Sequence, residues 1–596
     1  MNRRHILLSI GIALLLIAVT LQLSSDGSRS GELTLLTVSE TGDGAERGGT
    51  ATVRLEIVPG TGAIFIDSFP LTRLDTQAST RYANQVACDY LDVDCSQYDF
   101  RYTIRANTAI VGGPSAGGAI AVLTAAVLDR RPLDTSIAMT GTINSGGVIG
   151  PISGVRAKID GARRAGLTTV LVPLLSGPEN ETVPNGTAPL ATIAPPGIGP
   201  FERGAVPALS GDGVAVIAVG TLDEALAIFT HTSPLPALPA PVAPPEYDAR
   251  MRAISDEICA RNAALHDEIK KRKLTYVDTH NFTLRIAATP LDAGYPRASL
   301  CFSQDIELSA LIAADFSVSE RRALAADVRA RIVAVENRTA STPMRTVGDV
   351  EVSAIVRERI GEARETMRTL DVDEQNKSMT DDLAYANERI RSAESWSALF
   401  GMPGAPLHVD DDHLRRACLA KIAEADERLS YVRLYAPSAI ESAEEELALA
   451  YRSDTEPVLC ILHAAKAAAR ANLIASAIAV DPSRVDALVA EKIAAGERVL
   501  AARQADGSFP ILAYSYWRYA DWLRKDVPYS ALTFAEESLE LATLDMYFPK
   551  ERASLRVPGA ALTPVVFFCY GAAFAIGLAL FLWPNDRPLR KKRRTR

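Results

Sequence analysis

Residues 112–129 read GGPSAGGAIAVLTAAVLD. Glycines and a proline surround Ser115, and the run behind it is apolar on every side, which predicts a helix buried at the centre of a domain. A serine at the mouth of such a helix meets unpaired backbone N–H groups and the positive end of the helix dipole. That setting suits an oxyanion better than a neutral hydroxyl. The heptapeptide alone also fits a glycine-rich turn with serine as helix cap.

A serine nucleophile needs a base. No histidine occurs between His5 and His231, which rules out a Ser-His-Asp triad within this domain unless another region reaches in. The search narrows to Lys, Asp and Glu. In 153–166, SGVRAKIDGARRAG, a helix places Val155, Ile159 and Ala162 on one arc with Lys158 at its edge. Arg156, Asp160, Arg163 and Arg164 point elsewhere. Lys158 either snorkels its head to water or is the lone inward cation. Burial that moved an ammonium pKa from about 10.4 towards 7–8 would require roughly 3–5 kcal/mol, within the range desolvation supplies. The neutral amine would then take the Ser115 proton and later give it to a leaving amine.

Around this stretch, residues 31–230 read as one mixed α/β domain. Strand-like runs (TATVRLEIV, GAIFIDSF, RYTIRANTAIV, SIAMTGTI, TTVLVP, VAVIAVGT) alternate with helices predicted at 76–91, 116–129, 153–165 and 221–229. A Pro/Gly-rich stretch, 174–213, reads as an exposed insertion. Residues 231–246 form a proline-rich linker. From 247 to 555 strands nearly vanish and an antiparallel helical array is expected; Leu414, Cys418, Ile422, Ala425, Leu429 and Val432 mark the buried face of one helix. A spacer or oligomerisation scaffold is its plainest role.

The ends look made for lipid. Residues 5–23 predict a transmembrane helix or signal anchor and 559–583 a second transmembrane helix, followed by the basic tail 584–596. Basic flanks at both ends place the termini in the cytoplasm and the body outside the cytoplasmic membrane. The net charge of −9 understates the acidity of that body, since the two ends are basic. Nucleic acid is therefore an unsuitable partner. Six of the seven cysteines fall in the predicted ectodomain, with Cys88 and Cys95 closest in sequence, and five N-x-[ST] tripeptides begin at Asn180, Asn185, Asn281, Asn337 and Asn376. Both features fit an oxidising, exported face.

The blocks GGPSAGG, SIAMTGTINSGGVIGPISGVRAKIDGARRAGLTTVLVP and VAVIAVGTLDEAL, in this order over about 50–228, resemble the proteolytic domain of Lon proteases. The resemblance implies an α+β Lon-like domain followed by a mostly α-helical domain. It also implies a Ser-Lys dyad: Ser115 as nucleophile, Lys158 as general base, and Thr140 holding the lysine amine. Backbone around Gly113, Pro114 and Ser115 would form the oxyanion hole. Two positions depart from the pattern, with Gly112 where an acid is common and Thr142 where a glutamate is usual. No G-x-x-x-x-G-K-[ST] motif appears, so the chain is expected to work without ATP, similar to membrane-anchored, ATPase-less Lon-like proteases of archaea. The expected function is a membrane-tethered serine endopeptidase acting on unfolded or envelope polypeptides, without a cofactor. The resemblance further suggests a homo-oligomer, a hexamer in related domains. The alternative is a non-catalytic binding or chaperone module. His408 and His413 flank Asp410, Asp411 and Asp412, but an acidic helix start accounts for the aspartates and no metal is assigned there.

Overall fold

The computed structural model describes residues 12, 29–40, 46–111, 113–174, 204–205, 210, 213–374, 376–478, 485–548, 568–569, 571–576 and 578. Ten strands are described: β1 (Arg29–Glu40), β2 (Glu46–Pro59), β3 (Ile64–Thr72), β4 (Tyr98–Val111), β5 (Ile137–Met139), β6 (Thr142–Asn144), β7 (Val148–Gly150), β8 (Thr169–Pro173), β9 (Gly204–Ala205) and β10 (Ala215–Val219). Eight of them form one sheet in the order β3-β4-β2-β1-β5-β8-β10-β9, and β6 pairs with β7 as a separate hairpin. The long strands β1, β2 and β4 pair antiparallel; β5, β8 and β10 run parallel.

Four helices cover this sheet: α1 (Leu74–Tyr90), α2 (Gly117–Leu128), α3 (Val155–Arg164) and α4 (Leu222–Thr230). All four lie close to their predicted spans. Alternation along β1 sorts its side chains: Leu33 and Leu35 pack with α1, α2 and α4, whereas Leu36 packs with Val155 and Ile159 of α3 on the opposite face. Every residue of α2 is buried, as an all-apolar helix requires. SIAMTGTI does not run as one strand. It breaks after β5 at Gly141, and the second half turns out of the sheet to form the β6–β7 hairpin. β1 itself carried no strand assignment, because threonines and serine blur its alternation.

The helical region follows as α5 (Pro245–Arg272), α6 (Phe282–Ala288), α7 (Tyr295–Ala314), α8 (Val318–Ser341), α9 (Val347–Thr369), α10 (Lys377–Ser397), α11 (Asp411–Tyr435), α12 (Glu441–Arg452), α13 (Pro457–Ile478), α14 (Val485–Ala505), α15 (Ile511–Leu523) and α16 (Pro528–Ala542). The expected face of α11 is buried at all six positions. Three disulfides close the fold: Cys88–Cys95, as sequence proximity favours, Cys259–Cys301 joining α5 to α7, and Cys418–Cys460 joining α11 to α13. The linker is pinned rather than loose, for Gln504 Nε2 donates to the Val242 carbonyl while its Oε1 accepts from the Val242 N–H.

Among the described residues one helix is long and apolar enough to cross a membrane, Pro457–Ala477, and 72 % of that stretch is buried inside the fold. It is a core helix. The apolar run near the C-terminus is helical at 568–569, 571–576 and 578, with Phe568 and Phe574 exposed. Apart from helical Ile12, the N-terminal apolar run lies outside the described residues, as do most of the 174–213 insertion and the basic tail.

Glu351 on α9 is fully buried and accepts the Leu512 and Ala513 N–H groups at 3.0 and 3.1 Å, closing the start of α15. Burial pushes its carboxyl from 4.5 up to about 8, against the pull of those N–H groups. The folded state thus holds a proton that the unfolded chain releases above its ordinary value. This contribution is present below that value and is lost as the pH climbs through about 8. Urea unfolding should show wild-type stability falling by up to about 4 kcal/mol more than that of Glu351→Gln between about pH 5 and pH 9.

Candidate active site

Ser115 lies in a single 3-10 turn, Pro114–Ala116, that runs straight into α2. Gly113 opens the turn at φ 95°, a conformation glycine adopts freely, and the ring of Pro114 sets its own φ for a helix start. The turn is stitched to the end of β5: Gly141 N–H donates to the Ser115 carbonyl at 2.9 Å, the Thr140 hydroxyl donates to the same oxygen at 3.4 Å, and Gly118 N–H returns a bond to the Gly141 carbonyl at 2.9 Å. Ser115 is half-buried.

Lys158 sits in the first turns of α3 and is 4 % exposed, so its side chain faces inward rather than snorkelling. Its Nζ donates to the Ser153 carbonyl at 3.1 Å. Among the described residues no hydrogen bond joins it to Ser115, and none is made by the Ser115 hydroxyl. Thr140 meets the serine turn rather than the lysine. Gly113 N–H donates to Asp75 Oδ2 of α1 at 3.1 Å, so one expected oxyanion donor is already engaged. Pro114 has no N–H and shapes that wall without donating. The N–H groups of Ser115 and Ala116 belong to the first turn, where a helix offers no acceptor of its own. His231 is held by Asp134, His280 by Glu307 and His463 by Glu446; no described histidine hydrogen-bonds Ser115. His408, Asp410 and His413 do come together, with Asp410 capping α11 through the His413 N–H at 2.7 Å.

The larger difference from expectation is the place of the helical region. It packs directly against the serine turn and the β6–β7 hairpin. Arg428 of α11 donates to the Ile143 carbonyl and lies over the Tyr82 ring. At the hairpin tip, Ser145 donates to Glu540 Oε2 of α16 at 2.8 Å and bonds Tyr82 at 2.8 Å. Gly146 adopts φ 69° and a Cβ there would fall 2.2 Å from Val499, so α14 presses on the backbone itself. Lys421, fully buried, bridges Glu424 at 2.9 Å and Glu540, while Asn472 and Tyr547 each donate to one of those carboxylates at 2.9 Å. Burial pushes Glu540 up to about 7, helped by the neighbouring Glu424, and Lys421 opposes it. Lys421 is held above its ordinary value by the two carboxylates, against the effect of burial. Lys421, Glu424 and Arg428 are spaced three and four apart, the same helical rule as the apolar stripe beside them, and that is the signal a sequence reading overlooks.

Between the two regions lies a small gap with room for about one water, walled by Pro114, Thr142, Asn144 and Pro151 on one side. Arg428, Tyr431 and Val432 of α11 and Ala471, Asn472 and Ala475 of α13 wall the other.

Residues 94–192 match the family model of the Lon protease (S16) C-terminal proteolytic domain. The chain carries a Lon-type proteolytic domain. Lon protease of Paraburkholderia phytofirmans is 35 % identical over 100 residues, covering 16 % of this chain and 12 % of that protein. Lon protease of Frankia alni is 46 % identical over 72 residues, 12 % of this chain and 8 % of its own length. Lon protease of Heliobacterium modesticaldum is 31 % identical over 161 residues, 26 % of this chain and 19 % of its own. The chain therefore spans less than a fifth of the length of these relatives, and the family-model match lies within the α/β domain.

Replacing Lys421 by Met leaves Glu424 and Glu540 buried side by side without their cation. Removing one partner of a buried ion group costs about 3–5 kcal/mol. Thermal unfolding should register that loss for Lys421→Met, and the double variant Lys421→Met, Glu540→Gln should recover much of it.

Proposed function

We propose that the chain is a serine endopeptidase in which Ser115 and Lys158 form the catalytic dyad of its Lon-type domain. The observation that supports this most is the burial of Lys158, the one requirement that separates a general base from a surface lysine. Burial disfavours the ammonium form, and the four-carbon stem lets the amine leave the Ser153 carbonyl and turn to the hydroxyl. The neutral amine takes the Ser115 proton as Oγ attacks the scissile carbonyl. The resulting ammonium gives that proton to the departing amine, leaving an acyl-enzyme. Water, deprotonated by the same lysine, then releases the acyl group.

The oxyanion is stabilised by N–H groups of the turn around Gly113 and Ser115, with Gly113 available once Asp75 withdraws. Thr140 acts by holding the serine turn to the end of β5. The chain contains no Walker A motif, and we read the enzyme as independent of ATP, acting on unfolded segments because it has no means of pulling a fold apart. The terminal apolar segments would tether it to the cytoplasmic membrane with its body outside, and three disulfides in the fold favour that oxidising side. A homo-oligomer, a hexamer by analogy with related domains, is compatible with this arrangement.

A second reading is a binding or chaperone module. It is favoured by the engaged Gly113 N–H and by the absence, among the described residues, of a hydrogen bond between serine and lysine. Hydrolysis of casein or a fluorogenic peptide by the full-length protein in detergent, without nucleotide, separates the two. Ser115→Ala and Lys158→Ala should each lower turnover by at least about a thousandfold, with circular dichroism unchanged and no effect of added ATP. Equal turnover in all three proteins would exclude the dyad.

A further inference from the structure

We infer that His408, Asp410 and His413 form a binding site for a zinc-class divalent cation at the start of α11. One donor atom from each of the three lies within 4.8 Å of the other two. Asp410 stands between the rings: its Oδ1 is 2.7 Å from His413 Nδ1, and its Oδ2 is 3.4 Å from His408 Nε2. The two imidazoles meet nearly at right angles with their centres 5.1 Å apart. Helix capping does not account for this arrangement. The cap of α11 takes only the His413 N–H on Asp410, and it gives no reason for two imidazoles to turn to the same carboxylate. The backbone on both sides of the trio is already fixed. Leu407 and Val409 pack into the helical core, and the Leu407 N–H donates to the Arg345 carbonyl at 2.8 Å. Alternation between those two residues turns His408 outwards, where it is exposed. On the other side Leu414 is buried, and its N–H donates to the Asp410 carbonyl at 3.0 Å.

The donor set selects the ion. Two imidazole nitrogens and one carboxylate oxygen suit zinc and its first-row neighbours, whereas calcium and magnesium call for oxygen ligands. Ligand atoms in a tetrahedron around zinc sit about 3.3 Å from one another, close to the 2.7 and 3.4 Å already present. Rotation of the exposed His408 ring brings the third pair to that separation, and water completes the fourth position. The N-terminus of α11 opposes a cation with the equivalent of about half a positive charge. Asp410, Asp411 and Asp412, at the cap and in the first turn, outweigh it. A bound ion would tie the 407–409 segment to the helix that carries Lys421 and Arg428.

The test uses the full-length protein in detergent, without an affinity tag and stripped of metal by a chelator. Titration with zinc against a chromophoric chelator should show binding that neither calcium nor magnesium displaces. His408→Ala, Asp410→Asn and His413→Ala should each weaken it by at least about a hundredfold, beyond the 10–100-fold that loss of a mere supporting partner costs. His280→Ala, which removes an exposed imidazole paired with Glu307, should leave it unchanged. Asparagine caps a helix as well as aspartate does and His408 is exposed, so circular dichroism of the metal-free Asp410→Asn and His408→Ala proteins should match wild type. Zinc should also raise the melting temperature of wild type and leave that of the three variants unmoved. Zinc held equally by wild type and all three variants, displacement of zinc by calcium, or no zinc bound by wild type would each overturn the site.

Discussion

One buried ammonium between two carboxylates ties the two halves of this protein together. Lys421 and its partners Glu424 and Glu540 are almost without solvent, yet the cluster ends on Ser145 at the tip of a hairpin that belongs to the other domain. Buried charges of this kind add little net stability, because desolvation offsets most of their attraction. What they add is geometry. Each charge must meet its partner or remain unpaired in a dry interior, so the helices can sit in only one register against the hairpin. Arg428, reaching the Ile143 carbonyl two residues earlier, fixes the same hairpin from the same helix.

The hairpin is also where the serine site ends. β5 leads into it through Thr140 and Gly141, which hold the serine turn, and β7 leads out of it towards α3 and Lys158. The helical region therefore grips the connection between Ser115 and Lys158 rather than a remote surface. In a spacer, contacts of this kind would be wasted on a loop. Their position makes the helical region part of the site's architecture, although the family likeness stops before it begins.

The α/β domain was largely legible because its punctuation is local. Glycines and prolines mark where α2 and α3 start, and an all-apolar or one-sided pattern marks what each helix buries. β1 was missed since its polar residues dilute the alternation, and the break of SIAMTGTI at Gly141 is a tertiary choice that no period reveals. Of the site residues, the placement of Ser115 at a helix mouth and the inward face of Lys158 could be read from spacing. Asp75 could not, because nothing in its neighbourhood announces a bond to Gly113 on another element. The docking of α11 and α16 onto Ser145 joins residues hundreds of positions apart, and sequence periodicity carries no information at that range.

For the export proposed above, the core helix α13 poses a problem. Its mean hydropathy of 1.4 over a membrane-length window resembles that of a segment the secretion machinery would pass sideways into lipid. Lys466 and Arg470 stand near its middle, pairing with Glu358 of α9 and Glu446 of α12 in the finished fold. Before folding, each adds about 2.5–3.5 kcal/mol to the cost of bilayer insertion at mid-helix. On that reading, the same two cations that lock α13 among its neighbours would keep the nascent segment from stopping in the bilayer as a false anchor.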